Sequence, residues 1–184
     1  ASMLESQGIG VEHVDLSGVG NYLEALTAHL KLTGSTAVGI TCTTPQLPAV
    51  TRIIHQIREV RPDVLIILGG PHVTLTASAL KLEQKRGVQL RAHKAFRQLE
   101  DLADVLVSGD GELAIFSALV PQPSKFIDGD EIAGPLFMSN PIYDATPLPA
   151  RHLIDVASYH YTIEGHRATS LIGQLGCPFA CGFC

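Results

Sequence analysis

The sequence predicts an α/β fold, a doubly wound parallel sheet with helices on its faces. Three observations lead there. Between residues 11 and 120, short apolar runs alternate with segments whose apolar residues recur at helical spacing. The run Val64-Leu65-Ile66-Ile67-Leu68, the most hydrophobic of them, is far too short to cross a bilayer and reads as a strand. Finally, the runs end in clusters of glycine, threonine and proline, the residues of tight turns.

The elements follow in order. Residues 2–7 read as a short helix and residues 11–15 as a first strand. Tyr22 to Leu32 carries Leu23, Leu26 and Leu30 at helical spacing, and a strand is expected at 37–41. Pro45 and Pro48 open the next helix, where a first-turn amide needs no partner. That helix, 47–60, places Val50, Ile53, Ile54 and Ile57 on one face, and Arg61-Pro62-Asp63 ends it. Strands are expected at 64–68 and 105–108. Between them, 84–99 is rich in Lys, Arg and Gln and includes His93, which predicts a solvated surface helix pair. Residues 126–132 read as a hairpin with Asp128-Gly129 at its turn. Pro141, Pro147 and Pro149 mark an extended linker, and 169–174 reads as the first strand of a following domain.

Composition narrows the class of function. With 46% hydrophobic residues in 184, there is apolar material for one ordinary domain and a short extension. The longest apolar runs fall far short of the ~20 residues that cross a bilayer, so no membrane span is expected. A formal net charge of -5, no basic cluster and no tryptophan leave nucleic acid disfavoured as a partner.

Three expected strands end in residues suited to a ligand. Cys42-Thr43-Thr44-Pro45 follows the strand at 37–41, Gly69-Gly70-Pro71-His72 the strand at 64–68, and Gly109-Asp110-Gly111-Glu112 the strand at 105–108. Open parallel sheets bind ligands outside the carboxyl ends of their strands, so the three loops should face one crevice. Taken singly, a Gly-Gly-Pro or a Gly-Asp-Gly is more often just a tight turn, a reading that their joint placement weakens; His72 is equally well a helix cap.

The last eight residues hold Cys177, Cys181 and Cys184 at a Cys-x3-Cys-x2-Cys spacing. Loops this short strain a disulfide, and one thiol would stay unpaired. Three thiolates can hold a cubane iron-sulfur cluster by three irons and leave the fourth open, whereas ferredoxin-type carriers use four. Zinc is the competing reading, with His152, His160 or His166 as a fourth ligand, since Cys42 is expected in a buried strand. Free thiols poised for a cluster predict a reducing compartment, the cytoplasm.

The stretch from Ser170-Leu171-Ile172-Gly173-Gln174-Leu175-Gly176-Cys177 through Pro178-Phe179-Ala180-Cys181-Gly182-Phe183-Cys184 resembles the cluster loop of the radical S-adenosylmethionine superfamily. That resemblance implies a 4Fe-4S cluster on Cys177, Cys181 and Cys184, S-adenosylmethionine chelated at the open iron, and the backbone of Phe183 near its adenine. The loops upstream resemble the cobalamin-binding domain that precedes the radical domain in one branch of the superfamily, a flavodoxin or Rossmann-like fold. Gly69-Gly70-Pro71-His72 and Gly109-Asp110-Gly111-Glu112 match its two recurring loops, the second being usually Gly-Glu-Gly-Glu. By that likeness Thr43, Thr44, Gly69, Gly70, His72, Gly109, Gly111 and Glu112 would contact cobalamin, mostly through backbone.

Two departures stand out. The Asp-x-His-x-x-Gly motif that supplies an axial histidine in methionine-synthase-like domains is absent, and the family's first strand, before the helix at 2–7, is missing. The resemblance thus implies a cobalamin-binding-like domain at 1–120, a hairpin and linker at 121–168, and at 169–184 the start of a (β/α) barrel, with the chain clipped at both ends. It implies the amino-terminal part of an enzyme that cleaves S-adenosylmethionine reductively to drive radical methyl transfer, rearrangement or cyclisation on a small-molecule or peptide substrate. A flavodoxin or ferredoxin would donate electrons, and the fragment by itself should be inactive. The alternatives are a non-catalytic corrinoid-binding module, and a radical enzyme whose cobalamin-like domain binds no cobalamin.

Overall fold

The computed structural model describes residues 1–132 and 134–170. It divides into one compact unit, Ala1–Pro149, and a second beginning at Ala150. The first contains α1 (Ser2–Ser6), α2 (Tyr22–Leu32), β1 (Ala37–Thr41), a 3-10 turn at Thr44–Gln46, α3 (Leu47–Val60), β2 (Leu65–Gly69), α4 (Pro71–Lys85), α5 (Arg91–Leu102), β3 (Val105–Gly109), α6 (Gly111–Ala118), β4 (Phe126–Gly129) and α7 (Asn140–Asp144). The four strands form one parallel sheet in the order β1-β2-β3-β4. This is the α/β sheet expected.

The strand alternation divides the core into two layers. On one face, Ile66, Leu68, Leu106 and, partly buried, Val38, Ile40 and Phe126 pack with residues of α2, α3, α4 and α5. On the other, Ile67, Val105, Val107 and Ile127 pack with Ala114 and Ala118 of α6. Phe96 of α5 meets Phe126 edge to face, ring centroids 5.1 Å apart.

Three expectations are corrected. Residues 11–15 form no strand. A strand exists only by pairing, and β1, the outermost strand of the sheet, does not pair with them. The region 84–99 is not a solvated helix pair: α5 buries Ala92, Phe96 and Leu99, which share a face at i, i+4 and i+7. The carboxylate of Glu83, at the end of α4, accepts from the amides of Leu90, Ala92 and His93 at 2.8, 2.9 and 3.0 Å. Desolvation works against this carboxylate, but the three amides outweigh it and hold Glu83 below its ordinary range. Finally, residues 126–132 form no hairpin, because Phe126–Gly129 pairs in parallel with β3, with Leu106 opposite Phe126 and Gly109 opposite Gly129. Asp128-Gly129 looks like a turn locally, but a Cβ on Gly129 would come within 2.8 Å of the carbonyls of Ser108 and Asp110. Glycine is there for close strand packing.

The amino ends of the strands are tied by Asp104, which accepts from the Ile66 amide at 2.7 Å and pairs with Arg58. Arg58 also donates to the Val64 carbonyl at 2.8 Å. Burial would raise the Asp104 carboxyl, but Arg58 and the Ile66 amide together hold it below its ordinary value.

In the second unit, β5 (Thr162–Ile163) and β6 (His166–Arg167) form an antiparallel hairpin. Its turn residues Glu164 and Gly165 both have positive φ, 51° and 79°. Thr169 and Ser170 belong to no strand, and the rest of the expected strand at 169–174 lies outside the described residues.

Candidate functional site

All three ligand-suited loops emerge at the carboxyl end of the sheet, and they are locked to one another. Cys42 continues the β1 ladder by donating to the Gly69 carbonyl at 2.9 Å. Its side chain is fully buried and its thiol donates to the Thr43 carbonyl at 3.2 Å, while burial pushes the thiol pKa up. That makes it a packed thiol rather than a reactive one. The Thr43 amide and hydroxyl both donate to Gln46 Oε1, at 3.0 and 2.8 Å, which caps the 3-10 turn.

The second loop leans on the first. Gly70 has φ 92°, and a Cβ there would lie 2.5 Å from Thr41 Oγ1 and 2.7 Å from the Cys42 amide. His72 donates its amide to the Cys42 carbonyl at 2.9 Å, and its Nδ1 lies 3.0 Å from the Thr44 hydroxyl. With Nδ1 engaged, Nε2 is the ring nitrogen left to meet a ligand.

Thr74, on the first turns of α4, rivets the second loop to the third. Its hydroxyl donates to the Gly70 carbonyl at 3.2 Å and accepts from the Gly109 amide at 2.9 Å. Gly109 has φ 74°, and a Cβ there would strike the Asp130 amide and the Gly129 carbonyl carbon at 2.5 Å. Gly70 and Gly109 are therefore demanded by neighbouring backbone, independently of any ligand. Gly111 and Glu112 open α6 at the exposed rim, and a Cβ on Gly111 would meet nothing within 4 Å. Beside them the Asp110 carboxyl is raised by burial, and then by the charges of Glu112 and Asp130.

Beneath this rim lies a groove of about 860 Å³. It covers the part of the sheet face that α6 leaves bare: Ala37, Gly39 and Thr41 of β1 line it with Ile67, Val107 and Ile115, and Gly69, Gly70, Gly109 and Gly111 form its mouth. It also wraps around the edge of β1 to residues 12–17. A Cβ on Gly39 would meet nothing within 4 Å, so the groove floor is open where a side chain would otherwise fill it. The size and mostly apolar floor are those of a cofactor site; Gly69, Gly70, Gly109 and Gly111 line it, whereas Thr43, Thr44, His72 and Glu112 sit on the loops outside its lining. Lining residues Ala37, Gly39 and Thr41 were not singled out from sequence, since nothing local distinguishes a bare strand face from a covered one.

Cys177, Cys181, Cys184 and Phe183, the expected cluster and S-adenosylmethionine residues, lie outside the described residues. No helix among the described residues is long and apolar enough to cross a membrane.

The chain is similar in sequence to known proteins. An uncharacterized methyltransferase of Pyrococcus horikoshii is 28% identical over 162 residues, which make up 80% of this chain and 30% of the relative. The anaerobic magnesium-protoporphyrin IX monomethyl ester cyclase of Cereibacter sphaeroides is 26% identical over 178 residues, 88% of this chain and 26% of the relative. The chain thus spans less than a third of the length of either. The crystal structure of the amino-terminal domain of a hypothetical protein from Thermotoga maritima aligns over 69% of this chain and 83% of that domain, at 21% identity and a TM-score of 0.38. The family model of the B12 binding domain matches residues 1–115, well over half the chain, and the chain belongs to that family.

Proposed function

We propose that this chain is the cobalamin-binding portion of a radical S-adenosylmethionine enzyme. The observation that carries the cobalamin reading is the open groove under three interlocked loops, with unfilled space at Gly39 on its floor and Gly111 at its mouth. A bulky planar ring with a nucleotide tail needs such a combination: a rim to rest on and a groove for the tail. Thr44 and His72 on the loop rim, with the backbone of Thr43, and Gly69, Gly70, Gly109 and Gly111 at the groove mouth, would meet the ligand, and Glu112 would accept from its amide groups. The Thr44 hydroxyl orients the His72 ring, and Thr74 keeps the second and third loops at a constant separation. Bound cobalamin would supply a cobalt able to carry a methyl group.

The radical part of the proposal rests on the cysteine motif. Cys177, Cys181 and Cys184 would hold a 4Fe-4S cluster that supplies the electron for reductive cleavage of S-adenosylmethionine, with Phe183 beside the adenine and a flavodoxin or ferredoxin as donor. Such a cluster suits a reducing compartment such as the cytoplasm. The names of the two relatives, a methyltransferase and a cyclase, support methyl transfer or a related radical reaction as the outcome.

The test is retention. Purified chain mixed with hydroxocobalamin and desalted should keep the corrin absorbance; loss of all colour refutes the cobalamin reading. For the cluster, anaerobic reconstitution of a full-length protein should give a 4Fe-4S spectrum that Cys181→Ala abolishes. An unchanged spectrum in that variant refutes the assignment.

A further inference from the structure

Lys81, near the end of α4, reaches across to the end of β4. Its ammonium pairs with Asp128 and, at 3.3 Å, with Glu131. Asp128 in turn accepts the hydroxyl of the buried Ser108 at 2.8 Å and the amide of Asp130 at 3.1 Å. The Asp130 amide is one of the atoms lying against the φ 74° glycine, Gly109. A continuous set of contacts therefore joins Lys81 to the loop that opens α6. Around that loop the carboxylates crowd. Burial first, and then the charges of Glu112 and Asp130, push the Asp110 carboxyl up. Close by, Lys81 and Ser108 hold the Asp128 carboxyl low despite its burial.

We infer that Lys81 is a positioning residue for the cofactor loop: by neutralising Asp128 it keeps the end of β4 seated against Gly109, and so sets the conformation in which Gly109, Gly111 and Glu112 meet the ligand. This rests on the reading that the loop binds cobalamin. An ordinary partly exposed ion pair would matter little to anything distant. Here the pair is coupled to the loop through a buried hydroxyl and a backbone amide, and such linked groups do not behave independently.

The variants K81Q, K81R and the double variant K81Q/D128N separate the possibilities, because the D128N change keeps an acceptor for Ser108 and Asp130 while removing the charge. Titrated with hydroxocobalamin, K81Q should bind roughly tenfold more weakly than the parent chain, with K81R and the double variant close to it. Hydrogen exchange at the Gly109 amide should follow the same order, faster in K81Q and restored in the other two. Parent-like binding and exchange in K81Q overturn the inference, as does a double variant no better than K81Q. If the parent chain binds no corrin, the cobalamin reading fails, and the exchange experiment still decides whether Lys81 positions the loop.

Discussion

β3 and β1 belong to the same sheet but live in different surroundings. On β3, Val105 and Val107 face α6 while Leu106 and Ser108 face the opposite layer, and all four are buried. On β1, Val38 and Ile40 reach the core, whereas Gly39 and Thr41 are exposed and, with Ala37, line the groove. Parallel strands are normally covered on both faces. On β1 one face is bare next to three ligand-suited loops, and it offers the open space that the proposed ligand needs. Folding energy therefore concentrates on β2 and β3, and open space on β1.

Substitutions that break or sharpen this contrast differ widely in size. Leu106→Ala, at the doubly covered strand, should cost about 3–4 kcal/mol in urea unfolding, because a fully buried side chain is removed from a packed layer. A cost under about 1 kcal/mol would mean that β3 is less tightly enclosed than its burial indicates. Gly109→Ala follows at about 2–3 kcal/mol, from a strained positive φ together with a Cβ driven into the β4 backbone. It should also weaken corrin binding.

Asp104→Asn acts at the other end of the sheet and should cost about 1 kcal/mol at neutral pH, discounted for partial exposure. The Asp104 pKa is lowered in the folded state, so its contribution is complete above the unfolded carboxylate value of about 3.9 and fades as pH falls through the lower folded value. The stability difference between parent and variant should accordingly shrink below about pH 4, with corrin binding unaffected at neutral pH. A difference that stays constant down to acid pH removes the ion pair from the explanation. The smallest expected change in stability comes from Gly39→Leu, within about 0.5 kcal/mol, since its Cβ enters open space. Yet this variant should lose corrin retention by filling the groove. Unimpaired retention would place the ligand elsewhere on the domain.

The parts that were legible in sequence are those governed by local rules. β2 and β3 announce themselves as continuous apolar runs, and α3 by apolar residues on one face. The three loops were legible because all of them follow strands expected in one parallel sheet, whose carboxyl ends bring them to the same side. What misled was local pattern without its partner. α5 is dominated by polar residues, and only Ala92, Phe96 and Leu99 carry it into the core. Asp128-Gly129 carries a turn signature, but β3 lies alongside and draws it into the sheet. Residues 11–15 have strand composition without a strand to pair with. Thr74, Lys81 and Asp128 gave no signal, since their roles arise from neighbours 20 to 47 positions away.

The amino-acid sequence by itself determined the α/β class, the succession of the main elements and the three loops at the carboxyl ends of the strands. Hydrophobic periodicity and turn chemistry act over a few residues, so they can be read without neighbours. Only the tertiary structure decided which strand face stays bare, that Gly70 and Gly109 answer to neighbouring backbone, and that Thr74 and Lys81 brace the rim. Those depend on which backbones approach within a few ångströms of one another, which chain order does not encode locally.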